Sequence, residues 1–136
     1  MEQLLLFQSL NKEKTIKKVR IIVEHFRTYQ NILHGHLKMT VTPDYFFEFT
    51  CHEMTQTPIA IEAEIVVCDT LKALNKLSSA IYRRIIYEKF CTRYKEKDVT
   101  IANMINISET DFYRVLEHAL LEFAEVYNYG ELLTFD

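Results

Sequence analysis

From Asn11 onward, apolar residues recur at Ile16, Val19, Ile22/Val23, Phe26, Tyr29 and Leu33, the three-to-four spacing that lines one face of a helix. Asn11 is a good N-cap and Gly35 a good stop, so the spacing predicts one long helix over residues 11–34. Its apolar stripe needs a partner, either the rest of the chain or a second copy. Residues 36–58 then lose helical periodicity and hold both prolines among β-prone Thr, Val, Tyr and Phe. They read as a linker, residues 36–57, with room for a short hairpin, between an N-terminal segment (1–35) and a domain over 58–136.

Thr57-Pro58 is an N-cap and N1 pair, and Ile61, Ile65, Cys68, Leu71, Leu74 and Leu77 then fall on one face, which predicts a second helix over 58–76. Ser78 or Ser79 can cap a third, with Ile81, Tyr82, Ile85, Ile86 and Phe90 inward and Arg83, Arg84 and Lys89 mostly outward. The polar run 92–98 closes it. A short fourth helix over 99–106 carries Ile101, Ala102 and Ile105. Ser108 caps a fifth, with Ile107 and Phe112 spaced as a hydrophobic staple and Asp111 at N3. Phe112, Val115/Leu116, Ala119/Leu120, Phe123 and Tyr127 face inward until Gly130. The expected fold class is all-α: a long N-terminal helix that packs or dimerises, plus a C-terminal helical bundle.

A short helix, a tight turn through Ile107-Ser108 and a longer capped helix form the layout of a helix-turn-helix, over about residues 98–127. Ala102 is small where two helices would cross, Ile107 plugs the turn, and Phe112 anchors the second helix against Ile101 and Ile105. An ordinary helical hairpin has the same spacing.

Composition narrows the choices. With 49% hydrophobic residues over 136 positions the chain can bury a core, and its 2 Gly and 2 Pro leave little material for sandwiches or phosphate-cradling loops. The net charge of −3 is unevenly spread. Residues 10–27 and 83–97 are strongly basic, whereas 98–136 have Arg114 alone against many acids.

Cys51, Cys68 and Cys91 are odd in number and lack CxxC spacing, and Leu4–Phe7 is too short for a signal or membrane segment. The expectation is a cytoplasmic protein with reduced thiols and no membrane partner. His34, His36, Cys51 and His52 match no standard zinc spacing, so no metal is expected. Cys91 beside Arg93 reads as packing rather than a reactive thiol. There is no nucleophile-base pair, paired-carboxylate signature or phosphate loop, and neither enzyme nor cofactor is expected.

The stretches LNKLSSAIYRRIIYEKF and TIANMINISETDFYRVLEHALLEFAEVYNYGEL, with KTIKKVRIIVEHFRTYQNI upstream, resemble the ArpU-type phage transcriptional regulators, which are in turn similar to the promoter-reading region four of bacterial sigma factors. The position after Leu77, often Pro in sigma-like domains, is Ser78 here. The resemblance implies a sigma-like helix-turn-helix framed by Ile101, Ala102, Ile105, Ile107, Ser108 and Phe112, with 108–118 as the reading helix. It implies a DNA-binding activator of late phage genes (packaging, structure, lysis) in a bacterial host.

On that frame Glu109, Thr110, Tyr113, Arg114, Glu117 and His118 are the candidate base contacts, and Arg83, Arg84, Arg93, Lys95 and Lys97 the candidate phosphate contacts. The expected partners are double-stranded DNA, host RNA polymerase and a second copy of the chain. The rival reading is a sigma-like protein-interaction module whose acidic last helix binds polymerase or another regulator, with little DNA affinity of its own.

Overall fold

The computed structural model describes residues 9–51 and 57–136; the sequence readings on Leu4–Phe7 and His52 lie outside them. Helix α1 (Lys12–Glu24) begins where expected, the Asn11 side chain accepting from the Lys14 backbone N–H at 3.0 Å. The expected single helix is two, however, because the chain breaks at His25 before α2 (Phe26–Leu33). There the His25 N–H closes a tight turn on Ile22 O at 3.3 Å, and its Nδ1 lies 2.6 Å from Ile21 O. The bend lets Val19, Val23, Phe26 and Leu33 all reach the interior. The face Thr15, Val19, Val23 packs on the last long helix of the same chain, so the N-terminal stripe finds its partner within the molecule.

Residues 37–51 correct the all-α expectation. Strands β1 (Leu37–Val41) and β2 (Phe47–Cys51) pair antiparallel, from Leu37 opposite Cys51 to Val41 opposite Phe47, giving a mostly helical protein with one two-stranded sheet. The connecting turn is held by Thr42, whose N–H donates to Phe46 O and whose hydroxyl accepts from the Phe46 N–H. One side-chain amide ties the hairpin down: Asn75 Oδ1 accepts from Phe47 N at 2.7 Å and Nδ2 donates to Phe47 O at 2.9 Å. Both polar groups of a buried residue's backbone are thereby satisfied.

Helix α3 (Pro58–Lys76) starts at Thr57, whose hydroxyl accepts from the Ala60 N–H. Its buried face is the expected one at Leu71, Leu74 and Leu77 but departs from it in the first turns. Ala60, Ala63, Val67, Leu71 and Leu74 point inward, while Ile61 is 42% and Ile65 55% exposed. α3 packs along α2, and small side chains at the crossing let the two backbones approach where isoleucines would hold them apart. Helix α4 (Ala80–Ile86), capped by Ser79, runs on as a π-helical turn (Tyr87–Cys91). Ser78 is held separately, its N–H and hydroxyl both donating to the Glu122 carboxylate.

Helices α5 (Asp98–Met104) and α6 (Glu109–Val126) complete the bundle. As the periodicity predicts, Phe112, Leu116, Ala119, Leu120 and Phe123 are buried. A single core cluster runs from Val19, Val23 and Phe26 through α3 and α4 to Phe123 and Tyr127. After a 3-10 turn (Tyr127–Gly130) the C-terminal residues return to α1: Leu10 bridges Phe135, Asn11 N donates to Thr134 O, and Asp136 N donates to Ser9 O.

Candidate nucleic-acid interface

The α5–α6 junction is built by two local devices. At the end of α5, Asn106 takes a left-handed conformation (φ 59°), its N–H donates to Asn103 O, and the Ile107 N–H donates to Ala102 O at 3.1 Å. This paired closure is the Schellman motif, and Asn tolerates the positive φ it needs. Then Ser108 caps α6, its hydroxyl accepting from Asp111 N at 3.1 Å. Ile101, Ala102 and Phe112 are buried, with Ile105 and Ile107 packed against the same core. All six frame residues named from the sequence are thus brought together. Asn106 was missed there, although Asn followed by an apolar residue after a helix is itself a stop signal.

Above this frame the outer side of α6 stands in solvent. Glu109, Thr110, Tyr113, Arg114, Glu117 and His118 are all exposed. Two of them have partners. Tyr113 Oη donates to Asp98 Oδ2 at 3.0 Å, which links the two helices of the motif. Arg114 lies 3.5 Å from Asp111 with both side chains more than half exposed, a pair worth at most about 1 kcal/mol and easily exchanged for another anion. Asp98 also accepts from Lys89 Nζ at 2.7 Å. Partial burial pushes its carboxyl up, but the hydrogen bonds from Lys89 and Tyr113 and the charges of Lys89 and Arg20 outweigh that and hold it below the usual carboxylate range.

The five candidate phosphate contacts separate into two groups. Arg93, Lys95 and Lys97 are exposed on the segment between the π turn and α5. Lys95 and Lys97 line an open depression of about 560 Å³ with Lys89, Asp98 and Glu109, at the foot of α6. Arg93 lines a separate hollow of about 320 Å³ with Arg27, Gln30 and His34. Arg83, expected outward, is 5% exposed. Its guanidinium donates to Leu77 O and Asp44 O and lies 3.8 Å from the Phe46 ring centroid, fastening the hairpin turn to the start of α4. Arg84 is half-buried over the Tyr45 ring. Burial removes Arg83 from the phosphate-facing set because a guanidinium committed to internal carbonyls cannot swing out without orphaning them.

Sequence reasoning missed Arg27 as a brace. Its guanidinium donates to Thr92 O and Lys89 O, so it fixes the cationic segment that follows. No periodicity signals such a contact, since its partners are backbone carbonyls more than sixty positions away in the chain.

Burial pushes the Cys91 thiol well up, which suits packing and not reactivity. Among the described residues no cluster of His, Cys, Asp and Glu is arranged to hold a metal, and no helix is long and apolar enough to cross a membrane.

No protein-family model matches the chain, and no solved structure is significantly similar to it. Two curated proteins are similar in sequence. The chain is 25% identical over 136 residues, 95% of its length and 98% of the relative's, to the Streptococcus phage O1205 protein named "Putative autolysin regulatory protein ArpU". It is 33% identical over 75 residues, 55% of its own length and 53% of the relative's, to the protein of the same name from Enterococcus hirae. The chain is therefore similar, end to end, to a phage protein named as an autolysin regulator.

Proposed function

We propose that this chain is a sequence-specific DNA-binding transcriptional regulator, an activator of late phage genes, that places the outer face of α6 in the major groove in the cytoplasm of a bacterial host. One observation carries the reading: a capped helix with six exposed polar or aromatic side chains, with Lys95 and Lys97 at its foot and Arg93 on the same connecting segment. In such a geometry the exposed side chains meet base edges and the flanking cations meet phosphates. Arg114 would read a guanine, Glu109 or Glu117 a cytosine amine, and Thr110, Tyr113 and His118 further base edges. The regulatory names of the two similar proteins agree with this role, and recruitment of RNA polymerase is the step by which such a protein would activate.

The test is binding to the DNA upstream of its own gene and to a shuffled duplex, each at two salt concentrations. The reading requires preference for the native duplex and a loss of affinity with salt; indifference to both would reject it. A second reading, a module that binds polymerase or another regulator and touches little DNA, is favoured by the acids exposed on α6, where Glu109, Asp111 and Glu117 outnumber Arg114. It requires pull-down of polymerase subunits with no duplex preference.

A further inference from the structure

We propose that the hollow between α2 and the start of the 92–97 segment binds a phosphoryl group, carried by a free small phosphate ester or by a nucleic-acid backbone. Its volume of about 320 Å³ is in the range of small-ligand sites, and Arg27, Gln30, Asn31, His34 and Arg93 line it. Each of these side chains can donate a hydrogen bond, and among the described residues no carboxylate lines the hollow. It shares no described lining residue with the open depression at the foot of α6.

Arg27 is the anchor. It is half-buried, and one edge of its guanidinium is fixed: Nε donates to Thr92 O, and Nη2 donates to Lys89 O at 3.0 Å and to Thr92 Oγ1 at 3.3 Å. No described residue accepts from Nη1, so the other edge of the planar fork is uncommitted. All of its acceptors are neutral, and neither Arg27 nor Arg93 is ion-paired with a described carboxylate. A guanidinium partly withdrawn from water without a counter-charge is costly, and an anion in the hollow supplies one. Because the Arg27 side chain is already held in place, it loses little freedom when the anion arrives.

The donors converge from two elements. Arg27, Gln30, Asn31 and His34 follow one another at the spacing of a single helix face. Arg93 comes from the segment opposite, exposed, with its guanidinium 5.6 Å from the Tyr94 ring centroid. A carboxylate has two oxygens, which one guanidinium saturates, whereas a phosphoryl group has oxygens for both arginines and for the amide and imidazole donors as well. The C-terminus of a helix on its own favours cations. At the end of α2 that opposing field is reduced, because the N–H groups of His34 and His36 cover the carbonyls of Gln30 and Leu33, both at 3.0 Å. Occupancy also has a structural consequence: an anion bridging Arg27 and Arg93 fastens the start of the segment that carries Lys95 and Lys97. The inference holds whether or not α6 reads DNA.

The experiment is a heteronuclear NMR titration of the full chain with sodium phosphate and with adenosine monophosphate at constant ionic strength, with sodium acetate as the control. Expected are saturable one-site shifts at Gln30, Asn31, His34, Gly35 and Arg93 and at the Arg27 Nε–H, from both phosphates and not from acetate. Arg93→Ala and His34→Glu, which leave the Arg27 brace intact, should each weaken the interaction at least about tenfold. Lys72→Ala, which removes the same charge from the exposed side of α3, should change it less than about twofold. A duplex of unrelated sequence separates the two sources. Displacement of bound phosphate, with the same residues shifted, assigns the hollow to a backbone phosphate; a duplex that leaves those signals unchanged assigns it to the free ester. Shifts that never saturate, that acetate reproduces, or that Lys72→Ala abolishes as fully as Arg93→Ala does overturn the proposal.

Discussion

Two residues at the base of the motif, Asn106 and Asp98, hold it together for different physical reasons. Asn106 supplies a left-handed turn that lets the Ile107 N–H reach Ala102 O. A β-branched side chain there meets the full steric penalty, so Asn106→Val should lower stability by about 1–2 kcal/mol in urea melts, while Asn106→Gly should be neutral or mildly stabilising. Asp98 gathers Lys89 and Tyr113 from two other elements. Its carboxyl is lowered in the fold, so the folded state binds its proton less readily than the unfolded chain does. The stabilisation is therefore present above the ordinary Asp value and is lost as pH falls through the folded value. The difference in Tm between wild type and Asp98→Asn should be largest near neutral pH and vanish in acid; a gap independent of pH would show that the carboxylate charge is not what matters. If the outer face of α6 reads DNA, Arg114→Ala should weaken binding to the native duplex by about 1–3 kcal/mol and narrow its lead over shuffled DNA. Arg93→Ala or Lys97→Ala should weaken both duplexes alike and lower the salt slope by about 0.9. Fluorescence anisotropy titrations at several salt concentrations separate the two patterns.

Among the elements, the caps were the most legible part of the sequence. Asn11, Thr57, Ser79 and Ser108 each begin the helix that their short polar side chains announce, because a cap is decided by groups only two or three residues away. Ser108→Ala should accordingly cost about 1 kcal/mol, seen as a lower urea midpoint, and Ser108→Asp should recover most of it. Facing is harder to read than extent. For α3 the isoleucines outweigh the alanines in any apolar stripe, yet Ala60 and Ala63 are buried and Ile61 and Ile65 exposed, since closeness of approach by α2 decides the matter. The bend at His25 has no glycine or proline to signal it, and the π turn at Tyr87–Cys91 has none either. The outward placing of Arg83 failed because Arg83 answers carbonyls of Leu77 and Asp44, a loop and a hairpin whose positions only tertiary packing sets.

For the molecule as a whole, the α5–turn–α6 arrangement and the exposure of the side chains on its outer face could be read from spacing, and Ile101, Ala102, Ile105, Ile107, Ser108 and Phe112 meet at that junction. The support beneath was not legible, because it comes from distant pairings: Arg27 under the 92–97 segment, Asn75 on the hairpin, and the C-terminal residues on α1. The last of these joins the two ends of the described chain, with Leu132 buried and Thr134 N donating to Thr15 Oγ1. Removing residues 132–136 should therefore lower Tm by several degrees, since it uncovers Leu132's site and orphans the buried Thr15 hydroxyl. It should leave the preference for native over shuffled DNA unchanged in the fraction that stays folded. A truncated chain as stable as the full one would show that the clasp adds nothing.

The most direct measurement is the affinity of the folded protein for its own upstream DNA against a shuffled duplex, compared with a variant carrying Thr110→Ala, Tyr113→Ala and Arg114→Ala together. If the outer face of α6 reads the groove, the wild type prefers the native duplex and the triple variant, still folded by circular dichroism, binds both duplexes equally and weakly. A triple variant that keeps the full preference, or a wild type that shows none, would contradict that assignment.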